Sequence, residues 1–513
     1  MQDIRNLVYI QEVMSMKSKY DVVIIGSGLG GLACGSILSR EGMNVCVLEQ
    51  HRIVGGCFQS FRRGNYTLDT GIHYVGSMEE GQTMNQYFKY FGVLDKMNVR
   101  RLDESGFDVI RFSDGRDYRH AMGYERFYET LAEQFPDERK GLKEYCDLMK
   151  RVGGMIAPDI LREGRISAGG IEYMGMSIYD EMEKLIQDRR LKNVLAGSIS
   201  QYAGHPQKSS IYEHAMVNHS NIEGSYGFIG GTQHVADAFV DVIKANGGDV
   251  FTSSKVTKIH LEGAKVTYVE VNGEERIETD AVISAIHPSQ TMSLLENNTV
   301  IKKAYFTRVN SLENSYGIFT TYLLMKPDSY KFRNSNFYLY DTPSVWSVHE
   351  DGLKGELRSM LLCMQDNGQS EYTNVVTLLT PMLASQMARW NDTTLGHRGQ
   401  EYNDFKEEFS ERMIEFACRF FPDLKDSIQS VHTASPLTYR DYTLTPDGSA
   451  YGIIKDYHNP VVNHLPSRTK VSNLFITGQN LNVHGCIGTA VSAAVTCSEF
   501  VGAEYLSKKI GNA

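Results

Sequence analysis

The stretch from Tyr20 to Gly76 constrains the fold of this chain more than any other. An apolar strand from Asp21 to Ile25 runs into the sequence GSGLGG, which is followed by a helix of small residues and a second apolar strand that ends at Glu49. The order strand, glycine-rich turn, helix, strand and acid is typical of the phosphate-binding end of a dinucleotide fold. The sequence therefore predicts a Rossmann-type α/β unit here.

The glycines of this first turn have separate predicted roles. Gly26 permits a tight turn, Gly28 lets the backbone approach a pyrophosphate, and Gly31 lets the helix pack closely on the strand. Gly30 belongs to the same helical turn, whose free N–H groups and positive dipole end attract phosphate. Glu49 follows roughly 20 residues later, where a carboxylate binds ribose hydroxyls. Together these residues predict a dinucleotide site.

A second glycine turn, Gly55-Gly56, follows at once. Glycine pairs let a backbone pass close to a cofactor, and simple NAD dehydrogenases do not need a second turn, so this one indicates FAD. The neighbouring residues Gln50, Arg52 and Cys57 are predicted to line the same site, with Arg52 able to reach a phosphate. Cys57 is interpreted as a small buried thiol rather than as a covalent flavin tether.

Composition excludes several classes of function. The formal net charge of −10 and the lack of a basic run disfavour nucleic-acid binding. The eight cysteines form no CxxC pair and no zinc spacing, so we expect reduced thiols in a cytoplasmic protein and no metal site. No apolar run reaches the roughly 18 to 20 residues of a membrane helix. Residues 1–19 are predicted to be a frayed extension, with an amphipathic helix on a membrane surface as the alternative.

A chain of 513 residues is too long for one core, and its pattern alternates between two regions. Residues 78–226 are predicted to be mostly helical. After Gly230-Gly231 the sequence predicts a helix, a short strand, a hairpin and a buried strand, with Val256 placed to contact adenine. Residues 291–469 contain aromatic-rich strands and a helix near 403–420.

The last segment, Val471 to Phe500, predicts a strand, a polar turn and a small-residue helix. This turn should bring the flavin's ribityl chain and ring beside Gly478, Gln479, Asn480, Ile487, Gly488 and Thr489. The predicted fold is therefore α/β, a discontinuous Rossmann-type, glutathione-reductase-like FAD domain (20–75, 232–290 and 470–505) with an α+β substrate-binding domain built from two insertions (76–231 and 291–469).

Methionine follows the same division. Only Met43 lies in the three predicted cofactor segments, whereas 17 methionines lie in the two insertions. Because methionine is flexible and polarizable, it suits a pocket for a long apolar molecule. It is also a good helix former, so ordinary core packing is the competing interpretation.

Three local motifs resemble the flavoprotein family of phytoene desaturases, carotenoid isomerases and retinol saturases, with the retinol saturase branch most similar. They are VLEQHRIVGGCFQSF with LDTGIHYVG, AMVNHSNIEGSYGFIGGTQHVADAF, and SPLTYRDYTLTPDGSAYGI before the terminal TGQN. The resemblance covers most of the chain from Tyr20 to Phe500 and is weakest over 100–200. It implies FAD, a discontinuous FAD domain and a tunnel for a long isoprenoid or another apolar alkene.

The resemblance extends residue by residue only to matching positions. Gly26, Gly28, Gly31 and Glu49 match the family's adenosine diphosphate site, Gly55 and Gly56 its second turn, and Val256 its adenine contact. Gly478, Gln479, Asn480 and Thr489 match the terminal flavin segment. Asn480 is a departure, because relatives place an acid here or nearby, and an amide removes a charge near the flavin.

The implied chemistry is hydride transfer by the flavin, with the direction left open among saturation, desaturation and isomerisation. No second nucleotide turn is present, so electrons should pass through a quinone, oxygen, a redox protein or an NAD(P)H that shares the main site. A saturase also needs a proton donor. The candidates are His73, Tyr74, Tyr226, Tyr439 and His484, each with a structural role as the alternative. Asp69 is interpreted as a turn or cap acceptor.

Two other functions fit the same fold. An amine oxidase would need an aromatic cage or a carboxylate clamp, and neither is evident in the sequence. A lipid carrier resembling the Rab escort and dissociation-inhibitor proteins would not need Gly26, Gly28, Gly31, Glu49 and the terminal TGQN together. The intact set favours the redox enzyme.

Overall fold

The computed structural model of the chain describes residues 16–156, 168–368 and 370–513. Most of the predicted N-terminal extension, residues 1–15, lies outside this range. The frayed extension and the alternative of an amphipathic helix therefore both stay predictions. The strands are β1 (Lys19–Ile25), β2 (Val45–Leu48), β3 (Ser60–Arg63), β4 (Tyr66–Asp69), β5 (Tyr74–Val75), β6 (Val99–Arg101), β7 (Asp108–Phe112), β8 (Asp117–His120), β9 (Tyr226–Phe228), β10 (Asp249–Phe251), β11 (Val256–Glu262), β12 (Lys265–Val271), β13 (Glu275–Ser284), β14 (Leu295–Glu296), β15 (Gly317–Met325), β16 (Asn336–Tyr340), β17 (Ser359–Met364), β18 (Val375–Met382), β19 (Ile428–Ala434) and β20 (Leu474–Ile476).

The α-helices connect these strands and cover their faces. They are α1 (Leu29–Arg40), α2 (Thr83–Phe91), α3 (Tyr124–Gln134), α4 (Arg139–Gly153), α5 (Ala168–Met174), α6 (Ile178–Leu185), α7 (Arg189–Leu195), α8 (Ile211–Glu223), α9 (Gln233–Ala245), α10 (Pro288–Ser293), α11 (Lys303–Asn310), α12 (Val348–Leu353), α13 (Ala384–Met387), α14 (Gln400–Phe420), α15 (Pro436–Thr443), α16 (Pro460–Asn463), α17 (Gly485–Val501) and α18 (Ala503–Gly511). None of the helices in the described residues has the length and hydropathy of a membrane span.

The first sheet is built on five parallel strands in the order β10-β2-β1-β13-β20. The hairpin β11–β12 pairs antiparallel with the first half of β13, and β14 lies at its outer edge. Strands β1 and β2 are buried almost throughout, as near-continuous apolar runs in a parallel sheet should be. The predicted Rossmann-type α/β fold is confirmed.

The second sheet has the order β19-β15-β18-β17-β16-β7-β8. Three of its strands, β15, β16 and β17, coincide with the aromatic-rich strands expected from the sequence. Strands β18 and β19 complete the sheet and were not expected. Strands β7 and β8 lie in the stretch 78–226, which was predicted to be mostly helical and also contains α2 to α8. The two strands were not expected. They are short and carry a cross-strand ion pair, Arg111–Asp117, in place of a clear apolar alternation.

One carboxylate ties the β3–β4 hairpin to the start of α9. The Asp69 carboxylate Oδ1, at the end of β4, accepts hydrogen bonds from Thr232 N at 2.9 Å, from Thr232 Oγ1 at 3.1 Å and from Ser60 Oγ at 2.6 Å. Thr232 is the residue before α9. Asp69 therefore acts as a cap acceptor, as the sequence indicated, and ties the β3–β4 hairpin to the start of that helix.

Candidate active site

The first glycine turn connects β1 to α1 as expected. Gly26 has φ +94°, and its N–H donates to Leu48 O at 2.9 Å, which joins the turn to the end of β2. A Cβ on Gly31 would collide with the Gly26 carbonyl oxygen, so only glycine lets α1 approach this closely. A Cβ on Gly28 would meet no atom within 4 Å. Gly31 is thus needed for packing, and Gly28 keeps space open.

The second glycine turn lies directly against the first. Gly55 N donates to Ser27 O at 3.0 Å, and a Cβ on Gly56 would lie 3.0 Å from Gly28 Cα. Gly55 and Gly56 both have positive φ, at +119° and +57°. The two turns therefore form one backbone surface without side chains.

Glu49 lies at the wall of the same space and is 8% exposed. Its carboxylate accepts from Ser27 N at 2.9 Å, from Ser27 Oγ at 2.6 Å and from His51 N at 2.8 Å. These bonds fix the carboxylate between the two turns. Gln50 and exposed Arg52 lie beside it at the rim, and no ion pair of Arg52 is found among the described residues.

The terminal segment closes the site from the other side of α1. A Cβ on Gly30 would lie 3.0 Å from Gly478 Cα, so the two backbones are in contact. The helix α17 begins just beyond, with His484 at its N-cap. A Cβ on Gly488 would collide with the Val483 carbonyl oxygen, so Gly488 serves the packing of this turn.

One cavity of about 1080 Å³ joins these features. Gly31 and Gly488 pack behind its wall. The predicted cofactor residues that line it are Gly26, Gly28, Gly30, Glu49, Gln50, Arg52, Gly55, Gly56, Cys57, Val256, Gly478, Gln479, Asn480, Ile487 and Thr489.

The donors around this cavity fit the diphosphate of FAD. Helices α1 and α17 both begin at the cavity, and neither has a side chain that caps its N-terminus. Uncapped N-terminal N–H groups together with the helix dipole bind anions. The space left by Gly28 gives a phosphate room beside them, and Glu49 lies near.

Asn480 lines the cavity and also has a structural role. Its side-chain oxygen accepts from Ile453 N at 2.9 Å, and its backbone oxygen accepts from Lys455 Nζ at 3.0 Å. A Cβ on Gly452 would collide with the Asn480 side-chain oxygen. The amide oxygen therefore holds the segment 452–455 against the terminal turn, because an amide can accept there without adding a buried charge.

The candidate tyrosines are engaged by protein groups. Tyr74 lines the cavity, but its hydroxyl donates to Asp108 Oδ2 at 2.9 Å and lies 2.8 Å from Tyr338 Oη. Tyr439 also lines the cavity and donates to Thr70 O at 2.7 Å. Tyr226 lies away from the cavity wall, where it donates to Glu79 Oε1 at 2.9 Å. Tyr226 is therefore not placed to serve the cavity.

The candidate histidines both line the cavity with one enclosed ring nitrogen that has no partner among the described residues. In His73 this atom is Nε2, and in His484 it is Nδ1. Burial lowers the pKa of His73, and the Asp69 carboxylate opposes this shift. The other ring nitrogen of His484, Nε2, lies 3.0 Å from Glu213 Oε1. A buried unpaired nitrogen is costly, so both atoms favour a polar ligand.

Three buried charged residues near the site carry no sequence motif that marks them. Burial raises the pKa of Asp108 to about 7 against the hydrogen bonds from Asn336 and Tyr74. Burial lowers the pKa of Lys455 to about 7, while Glu213 opposes that shift. Sequence reasoning missed all three, because isolated charged residues usually lie on a surface. For Glu213 the pattern Ser210-x-x-Glu213 indicates only an ordinary helix cap.

Cysteine and methionine give one confirmation and one correction. All eight cysteines are free, as expected. Burial raises the pKa of the Cys57 thiol, which disfavours the thiolate that a covalent tether would require. Among the described methionines only Met84 lines the cavity. Others, such as Met149 and Met413, fill apolar cores. The interpretation that the methionines line a pocket for a long apolar molecule is therefore wrong.

Comparisons with known proteins agree with this geometry. A family profile for flavin containing amine oxidoreductases matches residues 29–499. An all-trans-retinol 13,14-reductase of Macaca fascicularis is 28% identical over 528 residues, covering 94% of this chain and 85% of the relative. A prolycopene isomerase of an Oncidium hybrid cultivar is 22% identical over 512 residues, covering 95% and 84%.

A solved structure supports the same fold. An oxidoreductase from Methanosarcina mazei aligns with a TM-score of 0.62 at 18% identity, covering 93% of this chain and 98% of that chain. The expected FAD and the resemblance read from the sequence are confirmed. The chain therefore belongs to the flavin-containing amine oxidoreductase family, and it is an FAD-dependent oxidoreductase.

Proposed function

We propose that this chain saturates, desaturates or isomerises a C=C bond of a long apolar substrate of isoprenoid, retinoid or carotenoid type. Bound FAD would supply the hydride chemistry. The observation that carries the proposal is that one cavity contains both the glycine turns and an apolar sheet face. The retinol reductase and the carotenoid isomerase among the relatives support a substrate of this class.

The apolar wall comes from the second sheet. Leu361 on β17 is paired with Leu379 on β18, and both line the cavity with Ile318 on β15. The next residues on these strands, such as Leu362 and Leu378, point to the opposite face and pack in the core with α14. Strand alternation thus gives the sheet one face for the helix and one face for a substrate.

We infer that the part of the chain carrying the first sheet, 20–75, 232–290 and 470–505, binds FAD, and that the insertions 76–231 and 291–469 bind the substrate. In this division Gly26, Gly28, Glu49, Gly55 and Gly56 hold the adenosine diphosphate part. Gly478, Gln479 and Thr489 adjoin the flavin. Electrons would come from or go to a quinone, oxygen, a redox protein or NAD(P)H at the same cavity, and a peripheral membrane contact would bring an apolar substrate near.

Residues of the wall exclude water and position the alkene. Tyr74 and Tyr439 present aromatic rings whose hydroxyls are held by Asp108, Tyr338 and Thr70, so these rings are fixed. The unpaired ring nitrogens of His73 and His484 are among the groups of the cavity lining that can exchange a proton. An apolar sheet face beside fixed aromatic rings favours a double bond over a charged amine.

The test uses FAD-loaded protein under anaerobic conditions. Chemically reduced protein is mixed with a panel of retinoids and carotenoid polyenes, and the flavin absorbance is followed for reoxidation. We expect one substrate class to reoxidise the flavin and to gain two hydrogen atoms by mass. Oxidised protein is tested in parallel for loss of two hydrogen atoms or for a change of isomer at constant mass.

A second arm tests the amine oxidase alternative. Primary amines and polyamines are added to oxidised protein in air, and hydrogen peroxide is measured. Peroxide release with amines, together with no reaction of any polyene in either redox state, would overturn the proposal. A purified protein that stays colourless after addition of FAD would favour a lipid carrier.

A further inference from the structure

Glu213 and His484 form a buried pair. Glu213 belongs to the insertion 76–231, and His484 belongs to the cofactor segment 470–505. Their side chains are 3% and 2% exposed, and Nε2 of His484 lies 3.0 Å from Oε1 of Glu213. His484 lines the cavity at the start of α17, whereas Glu213 lies in the first turn of α8. A buried carboxylate beside an imidazole keeps a proton on the facing nitrogen, so Nε2 is protonated, while Nδ1 is enclosed and has no partner among the described residues.

The first turn of α8 shows that Glu213 is diverted from its local role. In the pattern Ser210-x-x-Glu213 the serine side chain accepts from the Glu213 N–H at 3.1 Å, as a capping box requires. The reciprocal bond, in which the Ser210 N–H would donate to the glutamate side chain, is not formed. The carboxylate instead pairs with a histidine of the terminal segment.

Lys455 completes the arrangement. Its buried Nζ donates to Asn463 O at 2.9 Å and to Asn480 O at 3.0 Å, and Glu213 is close enough to raise its pKa. Through Asn480, Lys455 is joined to the terminal turn that begins at Gly478.

We propose that Glu213 is a positioning residue that holds His484 as the proton-exchanging residue of the cavity, with Nδ1 directed at the bound substrate. This inference rests on the proposed function. Bound FAD in its reduced form would supply the hydride to one alkene carbon, and in the saturating direction His484 Nδ1 gives its proton to the other carbon. The imidazolium then becomes a neutral imidazole whose Nε2–H still donates to Glu213. In the desaturating direction Nδ1 accepts the proton.

The ionisable and polar groups around His484 come from several elements. Glu213 approaches from α8, and the Tyr451 ring lies 5.0 Å from the imidazole, centroid to centroid. Lys455 and His464 lie behind it, and the lowered pKa of His464, to about 3, follows from burial first and then from Lys455. Glu213 is the only one of these groups that is a carboxylate, so its removal should change the hydrogen bonding of His484 most.

The first experiment uses the protein without FAD and does not depend on the reaction. Nitrogen-15 labelled histidine reports the protonation and tautomer of each ring, and His484→Gln assigns its signal. We expect Glu213→Gln to change the tautomer of His484, because a neutral amide holds the proton on Nε2 less strongly than the carboxylate does. The matched control is Glu223→Gln on the same helix α8, because Glu223 Oε1 lies 3.3 Å from Nε2 of His219, which does not line the cavity. This control should leave the His484 signal unchanged.

The second experiment uses FAD-loaded protein and the substrate found with the polyene panel. We expect His484→Gln to lower kcat roughly 10²- to 10⁴-fold, and Glu213→Gln roughly 10- to 100-fold, with FAD content and KM unchanged. Both should shift the pH profile of kcat, and Glu223→Gln should not. An unchanged His484 signal in Glu213→Gln, or an unshifted pH profile, would overturn the inference. If no polyene reacts, the proposed function fails while the histidine titration still decides this inference.

Discussion

Gly28 separates cofactor binding from folding better than any other glycine of the site. Its φ of −64° and ψ of 173° are allowed for any residue, and a side chain there would enter the cavity without touching protein. We predict that Gly28→Val folds normally but binds FAD at least about tenfold more weakly, which corresponds to about 1.4 kcal/mol. Flavin absorbance per protein chain and the unfolding temperature without FAD measure the two effects.

Two other glycines provide the controls for this prediction. Gly154 also has an ordinary φ, −62°, and open space around it, but it lies outside the cavity wall, so Gly154→Val should keep full flavin content. Gly31→Ala should lose stability as well as flavin, because its methyl group collides with the Gly26 carbonyl oxygen. Stoichiometric FAD in Gly28→Val would contradict the assignment of the phosphate site.

Asp108 gives the molecule a specific pH dependence. Burial raises the pKa of its carboxyl from 3.8 to about 7. Between these two values the unfolded chain has lost this proton while the native chain keeps it, so the contribution of Asp108 to the free energy of unfolding falls as pH rises. Asp108→Asn has no proton to lose. We predict that the difference in stability between Asp108→Asn and the original protein shifts in favour of the variant from about pH 4 to about pH 7.

Chemical denaturation of both proteins at several pH values within this window measures the effect. Asp95→Asn is the control, since Asp95 is exposed and should leave the pH profile unchanged. Parallel profiles for the original protein and Asp108→Asn would show that the native carboxyl is ionised throughout the window.

The connection between the β3–β4 hairpin and α9 depends on one carboxylate. Asp69→Ala would remove the acceptor of the buried Ser60 hydroxyl. It would also remove one of two acceptors from the Thr232 N–H and from its hydroxyl, whose other acceptors are Ser60 Oγ and Phe58 O. We predict a loss of about 1–3 kcal/mol in the free energy of unfolding, the cost of buried donors without partners. Asp95→Ala, on an exposed turn, should change it by no more than about 0.5 kcal/mol. Equal effects of the two substitutions in denaturant titrations would refute this role.

The strands and helices that the sequence predicted well have strong local signals. Strand β1, helix α1 and strand β2 follow from an apolar run, a glycine turn and small residues, and the hairpin β11–β12 follows from its two turns. Strand β7 could not be predicted in this way, because its pairing with β16 is decided by a partner more than 200 residues away in the sequence, and β8 joins the sheet only through β7.

The site follows the same rule. Glycine positions such as Gly26 and Gly56 could be predicted because each turn needs a residue with positive φ, which glycine adopts readily. The local sequence alone shows this requirement. The pairing of Glu213 with His484 and the bonds of Lys455 join residues far apart in the chain, so no local pattern indicates them. For Tyr226 the local sequence was misleading. Its neighbourhood resembles a cofactor turn, but its hydroxyl donates to Glu79.

FAD should stabilise the folded chain as a whole, because the cavity brings together residues from distant segments. Gly28, Val256 and Gly478 meet there with Ile318 and Leu361 of the second sheet. A ligand that binds only the native state at 100 times its Kd adds about 2.7 kcal/mol to the free energy of unfolding. We predict that FAD raises the unfolding temperature of the FAD-free protein by about 2–3 °C, because an unfolding entropy of about 2 cal/mol/K per residue gives about 1 kcal/mol/K for 513 residues.

Calorimetry with increasing FAD measures this shift, and the variants already described determine its origin. Gly154→Val should respond as the original protein does, because its substitution lies outside the cavity wall. Gly28→Val should show little shift at the same FAD concentration, because the phosphate has lost its space. If Gly28→Val gained the same stabilisation, FAD would be binding away from the two glycine turns. Since both sheets contribute to the cavity wall, we also expect FAD to raise the temperature at which each of them unfolds, as hydrogen exchange of β1 and β18 can show.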